Sequence, residues 1–257
     1  MRLRNALILI APLLGGCFPF APLGTDVYAG YLSLTPTGDL SMEDSTSSQP
    51  LSDIKIDVAN GYDVDDTGAP YIRVDIDGAK WDLTASAFYF EQDGDLILPT
   101  KFGDLPAGST VHSNLTILNT KVGVTYAILD AAFVDVGVGV SLDYFGIDMD
   151  VRSSAPLVGF EEIDFRAPVP MLFARASAGV GIVAADLEVG WMNIHLNDAK
   201  GNFLDIDGRV SVSVAPSVEL FGGYRYVLLD VLGDVDGQAF DTDLELTGWV
   251  LGGLISF

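Results

Sequence analysis

From residue 26 onward, apolar side chains recur at every second position, the mark of strands with two unlike faces. Val134, Val136, Val138, Val140, Leu142 and Tyr144 alternate with Asp135, Gly137, Gly139, Ser141 and Asp143. Leu204, Ile206, Gly208, Val210, Val212 and Val214 alternate likewise with Asp205, Asp207, Arg209, Ser211 and Ser213. Leu187, Val189 and Trp191 do so against Asp186 and Glu188. This rhythm predicts strands at 26–35, 70–77, 80–91, 111–127, 132–148, 166–179, 183–195, 203–215, 217–230 and 242–257. The same pattern accommodates roughly eight to twelve strands, and several reach the length that crosses a bilayer at a tilt, about 9–11 residues.

The connections sharpen the picture. Long segments (36–69, 92–110, 149–165, with 196–202 and 231–241 of medium length) alternate with tight turns. Those turns fall at Asp77-Gly78-Ala79, near Leu129-Asp130-Ala131, near Gly181 and at Ala215-Pro216. Short–long alternation is what an all-β, antiparallel, up-and-down transmembrane barrel produces, with periplasmic turns and longer external loops. An even strand number returns the chain to the side on which it started.

The two faces separate chemically. Tyr28, Trp81, Tyr126, Tyr144, Trp191, Tyr224, Tyr226 and Trp249 are candidates for interfacial aromatic girdles. Arg73, Lys121, Arg175, Arg209 and Arg225 fall on the opposite, inward face, as do Asp75, Asp82, Asp135, Asp143, Asp186, Glu188, Asp205, Asp207 and Glu219. Five inward cations among more acids predict an ion-paired lumen, since small barrels fill their interiors with side chains. A conducting constriction is the alternative. Asp243 and Glu245 break the pattern: counted from Phe257 they face outward, so they either stand above the membrane or follow a bulge.

The first residues have the anatomy of a targeting segment. Arg2 and Arg4 precede a short apolar run, Ala6 to Leu14, and small residues lead to the chain's one cysteine in Leu14-Gly15-Gly16-Cys17. That stretch resembles the lipobox of bacterial lipoproteins. The resemblance implies a signal peptide over 1–16, an acylated Cys17 and a linker over 17–25, with an ordinary signal peptide and an incidental cysteine as the alternative; the strand pattern sets the barrel at 26–257. Phe18 stands where an inner-membrane retention signal would place Asp, which implies export to the outer membrane.

Composition narrows the chemistry. The chain carries 36 acidic and 13 basic residues yet is 49% hydrophobic. Nucleic acid is excluded as a partner because phosphate binding needs basic patches. One cysteine and two histidines leave no zinc spacing, and no phosphate loop or dinucleotide fingerprint occurs. No cofactor or resident metal is expected. Asp63, Asp65 and Asp66 before Gly68, and Asp234 and Asp236 before Gly237, resemble fragments of calcium loops without completing them. Weak divalent-ion binding at external loops is the most they support. His112 with Ser113, and His195 beside Asn193 and Asn197, are the residues a lipid-modifying hydrolase would need, but no motif assembles a triad from them.

The whole pattern resembles the small outer-membrane barrels of the OmpA/OmpW-like superfamily. The likeness runs from Gly61-Tyr62-Asp63 through Pro70-Tyr71-Ile72-Arg73 to Phe88-Tyr89-Phe90-Glu91, and returns at Gly222-Gly223-Tyr224-Arg225-Tyr226. Trp249, Leu251, Gly253, Ile255 and the terminal Phe257 resemble the strand that the barrel-assembly machinery reads. The resemblance implies residence in the bacterial outer membrane among its lipids and carries over no catalytic residue. Three roles stay open: a non-enzymatic barrel with acidic external loops serving envelope structure or surface interaction, a narrow channel, and a lipid-modifying enzyme.

Overall fold

The computed structural model describes residues 24–42, 56–57, 67–98, 105–154, 160–196, 199–235 and 238–257. The strands are β1 (Gly24–Met42), β2 (Ile56–Asp57), β3 (Thr67–Asp77), β4 (Trp81–Ile97), β5 (Thr110–Ala131) and β6 (Val134–Ser153), followed by β7 (Phe160–Val180), β8 (Val183–Leu196), β9 (Ala199–Ala215), β10 (Val218–Val235) and β11 (Gln238–Ser256). The long strands pair antiparallel in sequence order, and β11 closes on β1 from Asp26↔Ser256 to Met42↔Phe240. The result is a closed barrel of ten strands, with two-residue β2 laid against the outer part of β1. At the closing seam Gly30 and Gly252 stand opposite each other, and a Cβ at either would run into the partner strand's backbone.

Outward side chains form an apolar belt that includes Val122 and Val124 on β5, Val138 and Val140 on β6, Leu172 on β7, Leu187 on β8 and Leu251 on β11. Aromatic rings bound it. Trp81 and Tyr126 meet edge to face at 4.8 Å near the short turns, and Tyr224 and Trp249 at 5.0 Å toward the other margin. A closed ladder wearing such a belt is a membrane-spanning barrel. Tyr28 departs from the expected girdle. It faces the lumen, nearly fully buried against Phe221, because β1 carries its outward residues at odd positions.

All ten expected strands are present, and most run further outward than the rhythm suggests. Strand β7 begins at Phe160 and β11 at Gln238, so much of the expected external loops is strand. The cause is a change of phase. On β6 the apolar residues are even-numbered up to Tyr144 and odd-numbered from Phe145 through Ile147, Met149 and Val151. The β6–β7 ladder passes through this point without a register shift. Below it the outside is apolar. Above it the inside is apolar, and the outside carries Glu91, Asp93, Asp95, Asp148, Arg152, Asp164, Arg166, Asp230 and Asp243. Asp243 and Glu245 belong to this outer zone: β11 pairs without a bulge on both edges, and Tyr226 Oη donates to Glu245 at 3.2 Å.

Two ladders stop short of the outer end. Pairing of β3 with β4 ends at Tyr71↔Phe88, and of β7 with β8 at Leu172↔Trp191, although β4 and β7 continue outward on their other edges. Proline stands at each stop. Pro70 precedes Tyr71, and Pro168 and Pro170 lie just beyond Leu172. Proline has no N–H to give a ladder and is confined to unpaired edges. Pairing of β1 with β3 continues through Tyr31↔Pro70, and of β6 with β7 through Leu142↔Pro170 and Tyr144↔Pro168. The proline nitrogens therefore face β4 and β8, where the pairing ends.

Candidate functional site: the ion-paired lumen

The ion pairs at belt level join inward positions of six strands. On the side nearer the outer end, Lys121 Nζ of β5 reaches Asp205 Oδ2 of β9 at 2.8 Å and Glu188 Oε2 of β8 at 3.5 Å. Arg225 of β10 grips Asp205 with two nitrogens, at 3.1 and 3.0 Å, and donates to Asn119 Oδ1 at 3.0 Å. The fork of a guanidinium matches a carboxylate in this way. Nearer the turns, Arg73 Nη1 of β3 donates to Glu188 Oε2 at 2.9 Å, while Nη2 contacts Oε1 and Nε donates to Asp75 at 2.9 Å. Arg209 of β9 approaches Glu188 and the hydroxyl of Tyr71, each at 3.4 Å, and Asp207 at 3.8 Å. Arg175 of β7 lies lowest, between Asp77 at 3.4 Å and Asp75 and Asp186, both at 3.7 Å.

These are contacts across the barrel as well as along its wall. Glu188 alone gathers Arg73, Lys121 and Arg209, and its side chain and that of Arg73 are 0% exposed. A charge buried so deeply is tolerated only when paired and hydrogen-bonded. Aromatic faces supply further support. Arg225 lies over Phe88 at 5.1 Å, Lys121 over Phe173 at 5.2 Å, and Arg73 and Arg209 over Tyr28 at 5.7 and 5.3 Å. Such contacts strengthen when desolvated.

Of the residues expected in an ionic lumen, Arg73, Lys121, Arg175, Arg209, Arg225, Asp186, Glu188, Asp205 and Asp207 lie together here. Asp135 does not join them. It lies on the inward face near the β5–β6 turn, opposite Asp130 and Ser177, and no ion pair links it to the cluster among the described residues. Glu219 likewise stands apart, accepting from Ser211 at 2.6 Å and Ser213 at 2.9 Å. Asn119, Tyr71 and the capping rings Phe88, Phe173 and Tyr28 were not anticipated. Parity was the available signal: Phe173 precedes Arg175 by two residues on one strand face. Several polar atoms of the cluster lack a partner, Asp207 Oδ1, Arg209 Nε and Arg225 Nη1 among them, and Asp143 is the extreme case. It is fully buried opposite Lys121, facing the cations Lys121 and Arg225 and the amide of Asn119, yet neither carboxylate oxygen has a well-formed hydrogen bond, and Ser141 Oγ beside it is also without a partner.

His112 and Ser113 are separated by strand alternation. His112 is exposed on the outer wall with Nδ1 3.0 Å from Asp95, whereas Ser113 is buried and donates to the Gly94 carbonyl at 3.1 Å. His195 sits at the outer end of β8 opposite Lys200, and Asn197 lies outside the described residues. So do Cys17, Asp63, Asp65, Asp66 and Asp236; Asp234 belongs to β10.

No protein-family model matches the chain, and neither does the sequence of any curated protein. Solved structures do match by shape. The outer membrane protease OmpT of Escherichia coli superposes with a TM-score of 0.62 at 9% identity, over 93% of this chain and 99% of that one. Ail, the attachment invasion locus protein of Yersinia pestis, covers 91% and 99% at 9% identity with a TM-score of 0.38. The transport unit of the autotransporter AIDA-I from Escherichia coli covers 94% and 91% at 10% identity, also at 0.38. Only the first of these scores is high enough to carry weight, and at that identity it speaks for the fold alone. The chain has the architecture of a bacterial outer-membrane β-barrel.

Proposed function

We propose that the protein is a closed, non-conducting barrel of the bacterial outer membrane, non-enzymatic, that holds an acidic outer rim and its loops at the cell surface for envelope structure or surface interaction. The observation that supports this reading is the crossing of the lumen by Arg73–Glu188 and Lys121–Asp205, with apolar side chains such as Phe145 and Phe203 packed edge to face at 5.1 Å among the outer inward positions. A solute path would have to pass through space that these groups occupy, which weighs against a channel. The opposite orientations of His112 and Ser113 weigh against hydrolysis by that pair. Lipid along the belt, the barrel-assembly machinery at the strand ending in Phe257 and weakly held divalent cations at the acidic loops are the partners this role implies.

The test is single-channel recording from purified protein in planar bilayers, after a heat-dependent gel shift has verified folding. Silence from inserted barrels is expected. Discrete, reproducible conductance steps whose ion selectivity changes in Arg209→Glu would overturn the proposal in favour of the channel.

A further inference from the structure

The four short turns at one rim of the barrel have tips of two kinds, with Phe257, 77% exposed, standing beside the β9–β10 turn. At the β3–β4 turn Lys80 is exposed, and the β9–β10 turn is Pro216-Ser217. Between them lie two turns of the opposite character. Phe133 at the β5–β6 turn is 67% exposed, and Val180 and Ile182 at the β7–β8 turn are 74% and 63% exposed. The backbone joins these two turns, Gly179 N–H donating to the Phe133 carbonyl at 3.1 Å.

The β5–β6 hairpin also reaches beyond its neighbour. Pairing of β4 with β5 stops at Trp81↔Tyr126, while β5 and β6 pair on as far as Ala131↔Val134. A register shift between Ala127 and Leu129 makes Ile128 the extra residue of a bulge. The bulge keeps Leu129 opposite outward Val136 and sets Asp130 opposite Asp135. The projecting tip is therefore acidic toward the barrel axis and apolar on its outside, where Ile128, Leu129 and Val134 continue the belt without interruption.

We infer that the β5–β6 and β7–β8 turns are immersed in the acyl chains of the periplasmic leaflet, so that the barrel sits with this side deeper than the β3–β4 and β9–β10 turns. Exposed apolar surface at a loop tip is costly in water in proportion to its area. Charge segregation across the tip, and continuity with the lipid-facing belt, identify lipid as what covers it.

The full chain, with Cys17→Ser and one of Phe133→Cys, Ile182→Cys, Lys80→Cys or Ser217→Cys, is labelled with an environment-sensitive fluorophore and folded into nanodiscs open to water on both faces. Heat-dependent gel shifts select the variants that fold. The labels at 133 and 182 should emit to the blue of those at 80 and 217, and be quenched by brominated lipid but not by iodide. Equal iodide quenching at all four positions would overturn the inference. Protection of 133 and 182 from both quenchers, as a protein partner would give, would overturn it too.

Discussion

Arg73 on β3 and Glu188 on β8 meet inside the barrel, Nη1 lying 2.9 Å from Oε2, although 115 residues separate them along the chain. Between them in space there is no wall, only lumen. Their contact ties opposite parts of the cylinder together, and it gives the first prediction. Glu188→Gln leaves three cations without their shared carboxylate and should destabilise the folded barrel by about 3–5 kcal/mol. Denaturant titration in detergent micelles, followed by the gel shift, measures this. The double variant Arg73→Met with Glu188→Leu should lose less than Glu188→Gln, because two well-packed apolar groups replace a pair rather than orphan one.

Asp143 should behave in the opposite way. Its carboxylate is buried without well-formed hydrogen bonds and beside the like charge of Asp205, so Asp143→Asn removes a charge that Lys121 and Arg225 only partly offset. The same titration should show either no loss or a gain of about 1 kcal/mol. A loss as large as that of Glu188→Gln would mean that Asp143 is held by Lys121 after all.

The phase inversion on the outer wall predicts where arginine is tolerated. Val140→Arg places a cation in the apolar belt and should cost about 2–4 kcal/mol in lipid vesicles. Glu245→Arg lies above the belt and should be close to neutral. Equal costs at the two positions would move the membrane boundary outward past Glu245.

Restoring an N–H at the proline edge should lengthen a ladder. In Pro170→Val, continuation of the Leu172↔Trp191 register sets residue 170 opposite Asn193, and the amide of Asn193 should exchange more slowly with deuterium. Unchanged exchange at Asn193 would assign the end of this ladder to something other than the missing donor.

Much of this was legible in the sequence, and what was not has a physical cause. Period-two alternation located every long strand, since lipid and lumen impose opposite demands on successive residues. Strand ends were missed where the demand reverses: beyond Tyr144 the inward side becomes the apolar one, and an alternation that changes phase reads as a loop. Tyr28 was misplaced for a related reason. An aromatic residue suits a membrane interface and equally suits the face of a buried guanidinium, and only strand parity distinguishes the two. Pairing partners were not legible at all, because Arg73 and Glu188 come together through barrel closure, not through any local pattern.

The prolines that end two ladders have a consequence for the outer half. Among the described residues, hydrogen bonds circle the barrel only as far as Tyr71↔Phe88 and Leu172↔Trp191. Beyond those points β4, β5, β6 and β7 form one sheet, and β8, β9, β10, β11, β1 and β3 form the other. Their inner faces carry Leu115, Ile117, Ile147 and Met149 on one side and Phe203, Leu229, Leu246 and Leu34 on the other. Two sheets closed over an apolar layer make a sandwich, the architecture of many water-soluble domains. The chain is thus a cylinder where it meets lipid and a sandwich where it meets water. The apolar core of its outer half runs on without a break into the buried rings of Tyr28, Phe88 and Phe221 that line the lumen beneath.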